Sequence, residues 1–365
     1  MRDSDPLALW STVEKQILVC PNLLACINTL IVHIGDPMNQ KKKITWLIAH
    51  QPINLFLRTA EAFREKIAEL TNNQFEVEIC TVQEYEDKFP NPHTKDTSIA
   101  NKVDPMKLLD SENIQMSQMH ITEIARWHSP EFLALEMPFI FQDHDHASRV
   151  LEGAIGRKML DELKDKSPAM GMEFTYSGGF RCIVSEKPIS DLNSLNGLGF
   201  ATTYNPVTVD TCEAIGAVPH TFQLNDLYVN PEFFKHEGKN SDALETTIPR
   251  YLAQFKDTNK KYMVNTKHNL FLTSIIIGTK FWSTLTEDEQ AKFSEACKYA
   301  SRLERKWSVE EAEAFAAKSD HSDIGVTYAE LSDEDTAKFK QAVAPLYDKY
   351  REFFHAGLID GIIKA

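Results

Sequence analysis

An arginine opens an apolar run in Gly178-Gly179-Phe180-Arg181-Cys182-Ile183-Val184-Ser185-Glu186-Lys187-Pro188-Ile189. A guanidinium entering a buried strand without an anion is costly, and its planar fork of donors suits a carboxylate held bidentately. That carboxylate belongs either to the chain, as a structural salt bridge, or to a ligand; these residues leave both readings open. Other chemistry-bearing groups offer less. His144-Asp145-His146 resembles a metal pair, but it needs further ligands from elsewhere, and Asp143 is placed to cap a following helix. His120 and His128 stand singly beside Met119 and Trp127 and read as surface or satisfied core groups. Ser177-Gly178-Gly179 lacks the Gly-x-Ser-x-Gly elbow of a nucleophilic serine. Neither GxGxxG nor GxxxxGK[ST] occurs, which removes dinucleotide and P-loop chemistry. Cys20, Cys26, Cys80, Cys182, Cys212 and Cys297 show neither CxxC nor a zinc spacing. They read as scattered buried thiols, with a Cys182–Cys212 bridge open if the chain is exported.

The elements that must position these residues read as alternating strands and helices. Ile44–Ala49 is a short apolar run, and Pro52 sits where a first helical turn accepts it. Phe56, Ala60, Phe63, Ile67 and Leu70 then recur at helical spacing. Thr71-Asn72-Asn73 breaks that helix, and Phe75-Val77-Ile79 alternates as a strand. This β-α-β unit implies a parallel sheet with a helix across it. Asn205-Pro206 marks a helix start and Gly216 its stop. Thr286…Glu289 and Ser308…Glu311 have capping-box spacing, and Ser332 caps in the same style. From Glu287 to Ala317 the pattern is helical, with a break expected near Ser308. No internal repeat or low-complexity linker separates the parts.

The bulk properties are those of a soluble α/β protein. A chain of 365 residues predicts two domains. A net charge of −14, with no Lys/Arg stripe, argues against nucleic acid. Lys41-Lys42-Lys43 is too short to anchor a membrane by charge. Residues Ile17 to Ile34 are mostly apolar, but Pro21, Asn22, Asn28 and His33 interrupt them. Asp3, Asp5 and Glu14 precede them where a signal peptide wants basic residues. Residues 1–43 therefore read as a segment appended to the fold: a degenerate leader, an anchor or an upstream extension.

Taken together, the motifs resemble the solute-binding proteins of tripartite ATP-independent periplasmic (TRAP) transporters, of the C4-dicarboxylate-binding type. The Arg181 segment, continued by Asp191-Leu192 and Gly197-Leu198, resembles G-[F/T]-R…S…[K/R]-[P/A]-I…[D]-L-x-G-L. Leu135-Glu136-Met137-Pro138-Phe139-Ile140-Phe141 with His146-Ala147 resembles "LPFLF…HA", and Leu151-Glu152-Gly153-Ala154-Ile155-Gly156 resembles "LdGpiG". Ala214–Pro219, Asp226-Leu227-Tyr228 and Asp242–Glu245 follow in order as "aLGAxP", "EvY" and "vDGqE". The match runs from about Ile44 to the C-terminus.

The resemblance implies an α/β, two-lobed periplasmic-binding-protein-like fold with strand hinges and a long helix spanning both lobes. Lobe I is expected over 44–178 plus 271–307, and lobe II over 179–270 plus 308–365, crossing near Ser177–Gly179 and Lys267–Leu270. A small polar solute is expected in the cleft, delivered to a TRAP-type permease pair by a periplasmic monomer, with no cofactor and no covalent chemistry. A permease-independent sensor or scavenger is the alternative. An enzyme on this scaffold is a more distant one and needs a nucleophile–base pair, whereas Glu123 beside Arg181 reads as an ion pair. The implied ligand-binding residues are Arg181, Glu123 (in a "TEsAR"-like run ending at Arg126), Asn54, Tyr204, Phe222, Leu224 and Thr246. One departure stands out. The motif continues L-x-G-L-K-[I/L/M]-R-[V], and its arginine clamps the ligand carboxylate. Here Ala201 occupies that position. Either the solute is not a typical organic acid, or another cation such as Arg181 or Arg126 takes over, or the binding role has degenerated. The first case leaves a neutral gap beside Phe200, Tyr204 and Phe222 that disfavours simple carboxylates.

Overall fold

The structure, a computed structural model, describes residues 41–50, 53–89, 109, 113–222 and 241–365. Leu224, Pro52 and the apolar stretch from Ile17 to Ile34 lie outside the described residues. Local signals set the first elements: β1 (Lys42–Ile48), α1 (Ile53–Leu70) and β2 (Phe75–Thr81). Phe56, Ala60, Phe63 and Ile67 are buried along one face of α1, as their spacing predicts. α2 (Val82–Lys88) starts on a capping box formed by Thr81 and Glu84. β3 (Met116–His120) runs straight into α3 (Ile121–Trp127), and a 3-10 turn covers Pro130–Glu136.

Asp143 caps α4 (His144–Glu152), accepting the His146 backbone N–H at 2.7 Å. The His146 ring is fully used: Nδ1 accepts from Gln142 N–H and Nε2 donates to the Ile362 carbonyl oxygen. No metal-suited group of His, Cys, Asp and Glu occurs among the described residues. α5 (Ala154–Lys166) leads into the long strand β4 (Ala169–Ser185). After it come β5 (Gly199–Thr203), α6 (Pro206–Ala214), β6 (Val218–Phe222), β7 (Ala243–Thr247) and α7 (Ile248–Gln254). β8 (Tyr262–Asn265), β9 (Leu270–Gly278), α8 (Thr279–Ser283) and α9 (Glu287–Ala316) follow. β10 (Thr327–Glu330), α10 (Asp333–Phe353) and α11 (Leu358–Lys364) complete the chain. The cap signals hold at Asn205, Thr286 and Ser332, each of which accepts an N–H of the first helical turn.

The strands follow the order β2-β1-β3-β9-β4-β7-β5-β6, with β8 beside β4 and β10 beside β8. β1 and β3 are parallel, but β9 runs antiparallel to both β3 and β4, so the sheet is mixed rather than parallel throughout. β4 joins its two parts: residues Ala169 to Phe180 pair with β9, and Arg181 to Ser185 pair with β7. Two apolar clusters flank the first part, one including α1 and α9 and the other α3 to α5. Two more flank the second part, with Tyr251 and Phe255 near α7 in one and Phe339 and Val343 of α10 in the other.

The pairing of β4 with β9 shifts register between Tyr176 and Phe180, where Gly178 and Gly179 take left-handed φ values of 92° and 87°. A Cβ on Gly178 would lie 2.2 Å from Thr247 Oγ1, so both conformation and space require glycine. Two sequence expectations fail here. Ser308 does not start a new helix; α9 runs unbroken, and Ser308 Oγ accepts the Gly178 N–H at 3.2 Å while donating to Glu304. Glu304 also accepts the Tyr176 N–H, and its burial pushes the carboxyl up to about 8. A capping-box spacing inside a strong helical pattern is overridden by this tertiary contact. Cys182 and Cys212 are free thiols in different apolar clusters, which excludes the bridge.

Candidate solute-binding site

The register break delivers Arg181 to a junction of strands and helix ends. Its backbone is fixed on both sides: its N–H donates to Asn269 O at 2.9 Å and its carbonyl accepts from Lys267 N–H at 3.0 Å. The guanidinium is 4% exposed and stacks on Phe271, with Cζ 3.6 Å from the ring centroid. Two carboxylates meet it, Glu245 at 3.0 Å and Glu136 at 3.5 Å. Of the two readings open for Arg181, carboxylates of the chain itself meet it, and neither Glu136 nor Glu245 carries a local signal that marks it as the partner. β4 and β7 place Arg181 opposite Thr247, which brings Glu245 two residues away.

Glu136 collects bonds from several elements. The Thr122 hydroxyl on α3 donates to it at 2.9 Å, and the Asn205 amide at the start of α6 donates to Oε2. Burial pushes its carboxyl up to about 7, against the opposing pull of Arg181 and its hydrogen bonds. Burial acts on Glu245 in the same direction, but there the nearer Arg181 guanidinium and the His268 bond at 2.9 Å outweigh it and hold the carboxyl below its usual range. His268 is itself oriented by Thr266, 2.6 Å from Nδ1.

A second guanidinium reaches the same ring. Arg250, fully buried on α7, has Cζ 4.7 Å from the Phe271 centroid and donates to Ser177 Oγ at 2.8 Å. His120, at the C-terminal end of β3, stacks on Phe271 at 4.7 Å and stands 4.7 Å from His50, which follows β1. Burial, with His50 and the two arginines, depresses His120 well below the usual histidine range, so its ring is neutral. Contrary to the sequence reading, His120 is not a satisfied core group: Nδ1 has no hydrogen-bond partner among the described residues. Neither His120 nor Arg250 carries a local sequence signal; only the fold brings them to Phe271.

The remaining expected site residues are dispersed around this junction. Glu123, 7% exposed on α3, accepts the Trp127 indole N–H at 3.2 Å. Arg126 lies between the exposed rings of Trp127 and Tyr204, at 5.2 and 6.0 Å. Asn54 is exposed at the start of α1. Phe222 ends β6 and is buried. Thr246 is fully buried, and its hydroxyl has no partner among the described residues. Ala201 does not border a gap. It is fully buried in the apolar cluster that holds Cys182, Val184 and Leu244.

Nothing in this arrangement resembles an activated nucleophile. Burial pushes the Cys182 thiol up to about 12, away from the thiolate that chemistry needs. The site's resources are buried guanidiniums, carboxylates, an aromatic face and unspent hydrogen-bonding atoms at strand ends, the place where open α/β sheets hold ligands.

Residues 52–352 match the family model DctP, "Bacterial extracellular solute-binding protein, family 7". The chain is 22% identical over 308 residues to the C4-dicarboxylate-binding periplasmic protein DctP of Rhodobacter capsulatus, covering 83% of this chain and 84% of that one. It is 20% identical over 342 residues to the C4-dicarboxylate-binding protein DctB of Bacillus subtilis, covering 92% and 91%. Among solved structures it is similar to a TRAP periplasmic solute-binding protein of Polaromonas sp. JS666 bound to D-erythronate (TM-score 0.73, 20% identity, covering 88% and 98%). It is also similar to the sugar acid binding protein DctPAm of Advenella mimigardefordensis in complex with galactonate (TM-score 0.72, 20% identity, covering 89% and 97%). These neighbours share the two-lobed architecture expected from the motifs. The family is extracytoplasmic and non-enzymatic in general, and no helix among the described residues is long and apolar enough to cross a membrane. Because the family model matches most of this chain, the protein belongs to the bacterial extracellular solute-binding proteins of family 7, the solute-capturing components of TRAP-type transporters.

Proposed function

We propose that the junction around Arg181, Phe271 and Glu136 is the solute site and that the protein works there without covalent chemistry. The lobes divide as 44–178 with 271–307 and 179–270 with 308–365, and the left-handed glycines 178 and 179 are one hinge between them. Closure over a small polar solute presents a combined surface to TRAP permease subunits outside the cytoplasm, and the monomer is the working form. Arg181, Thr246, Glu123, Tyr204 and Phe222 supply the cleft, with Asn54 at its rim. The observation that carries this reading is the buried Glu136 carboxylate, which takes bonds from α3, from the start of α6 and from Arg181. Such a junction couples the two halves, and a ligand with differential affinity for the closed state shifts its population.

Solution scattering tests closure: a solute found by thermal-shift screening reduces the radius of gyration with unchanged circular dichroism. An unchanged radius at saturation counts against the closing cleft. Solute uptake in proteoliposomes carrying TRAP permease subunits tests delivery, and solute turnover in the absence of permease argues for an enzyme.

A further inference from the structure

Left-handed backbone is easy for glycine, tolerable for asparagine and costly for bulkier residues. Among the described residues, the non-glycine positions that adopt it are Asn72 and Asn73, in the turn after α1, and Phe139 and Lys267. The last two stand at φ 60° and 48° with long side chains that do nothing to ease the conformation. They are far apart in the chain, yet one hydrogen bond ties their loops together. The Phe139 N–H donates to the carbonyl oxygen of His268, the residue after Lys267, at 2.5 Å. Strain that persists in two touching segments is imposed by the surrounding structure, and such strain gathers at switch regions.

Both residues bear on Arg181. The Lys267 N–H and the Thr266 hydroxyl donate to the Arg181 carbonyl oxygen at 3.0 and 3.3 Å, and the Arg181 N–H donates to Asn269. His268, within the same turn, meets Glu245, which meets the Arg181 guanidinium. On its other side the turn reaches α10. The Phe139 ring packs edge-on against Phe339 at 5.1 Å, and the His268 ring stacks on the same Phe339 at 5.5 Å. The Tyr347 hydroxyl donates to the Pro138 carbonyl oxygen at 2.7 Å. Each strained residue has room to relax. Phe139 is half-buried beside an open cavity of about 360 Å³ walled by Pro138, Lys340, Val343, Ala344 and Tyr347. Lys267 is exposed, and its ammonium pairs with Glu330 at the surface, a contact that contributes little.

Resting on the two-lobed reading above, we propose that Phe139 and Lys267 are positioning residues of the solute site. They form a strained clasp at the second crossing between the lobes, and it holds the unliganded chain back from the arrangement in which Glu136 bridges them. In that division Phe139 and Glu136 belong to one lobe, and Phe339, Asn205 and Arg181 to the other. The first crossing has glycines at its left-handed positions, whereas the second has a lysine and leans on a phenylalanine. Strain carried by one arrangement and absent from the other lowers the population of the first. Bound solute stabilises the bridged arrangement and offsets the strain, so the clasp sets affinity without touching the solute.

Small-angle scattering of the unliganded full chain tests the clasp with three substitutions at exposed Lys267, none of which disturbs the core. Lys267→Gly removes the strain, and Lys267→Asn eases it. Lys267→Ala removes the ammonium but keeps the β-carbon that causes the strain. The expected result is a smaller radius of gyration than wild type for Lys267→Gly, an intermediate one for Lys267→Asn and no change for Lys267→Ala. Calorimetry with succinate and galactonate gives the second readout: whichever acid binds wild type binds Lys267→Gly about 3- to 10-fold tighter. Phe139→Leu keeps a bulky left-handed residue without the ring contact to Phe339 and weakens the same acid about threefold. A turn with a merely structural role would move melting temperatures and leave radius and affinity unchanged, and that result overturns the proposal. So does equal compaction of Lys267→Ala, which assigns the effect to the lost ion pair. The unliganded comparison decides the clasp even where neither acid binds. If an acid compacts wild type while Lys267→Gly matches wild type throughout, the clasp alone falls. If confirmed binding compacts neither wild type nor variants, the two-lobed closure falls with it.

Discussion

Replacing Glu136 by glutamine separates the electrostatic cost of this carboxylate from its hydrogen bonding. The carboxyl is fully buried, and its proton is held to about pH 7 instead of the usual 4.5. Between those two values the folded protein binds a proton that the unfolded chain has released, so stability falls as pH rises. The stabilisation is fully present below about pH 4.5 and is lost as pH passes 7. A displacement of this size corresponds to about 3 kcal/mol across the window at the standard conversion per pH unit. Glutamine keeps the shape and one acceptor oxygen but cannot ionise, so Glu136→Gln removes this slope. Urea unfolding at pH 5 and pH 8.5 reads the effect. The difference in unfolding free energy, variant minus wild type, should shift in favour of the variant by about 2–3 kcal/mol between the two pH values. Glu304 also carries a raised value, about 8, and lends both proteins a slope of the same sign. The subtraction cancels it. Parallel pH profiles for the two proteins would refute the reasoning, because they would mean that Glu136 is not held protonated by burial.

Three further perturbations have definite expected outcomes. Arg181→Met leaves Glu136 and Glu245 facing each other without their guanidinium and should cost about 3–5 kcal/mol in chemical denaturation, part of which Glu245→Gln in the same chain restores. Gly178→Ala places a Cβ 2.2 Å from Thr247 Oγ1 at φ 92° and should cost about 2–3 kcal/mol, whereas a neutral effect would show that the hinge backbone differs from that described. Ala201→Arg forces a guanidinium into the Cys182–Leu244 cluster and should lower stability by 3 kcal/mol or so without creating acid affinity; a gain of affinity for succinate or galactonate in that variant would mean that the position borders the cleft after all.

What the sequence determined by itself is the part of the structure governed by neighbours along the chain. Asn205, Thr286, Ser332 and Asp143 each bond an N–H two or three residues on, so side-chain type and spacing suffice to place the helix starts. The buried face of α1 follows from a 3.6-residue period, and the double glycine before Arg181 is legible because few other residues tolerate its backbone. The ordered motifs gave the family and the two-lobed fold. The sequence also required a carboxylate for Arg181, since a buried guanidinium cannot stay unmatched.

Which carboxylate it meets was decided only by tertiary structure. Glu136 is 45 residues before Arg181, and the pairing register of β7 on β4 selects Glu245. Tertiary packing likewise buries Ala201 among apolar side chains, sets Cys182 and Cys212 in different clusters, and has Ser308, inside an unbroken helix, accept the Gly178 N–H of the hinge strand. Arg250 and His120 meet on Phe271 although no spacing along the chain relates them. Capping and periodicity act within a few residues and are written locally, whereas buried charge pairs depend on distances set by strand register and helix docking, to which the whole chain contributes.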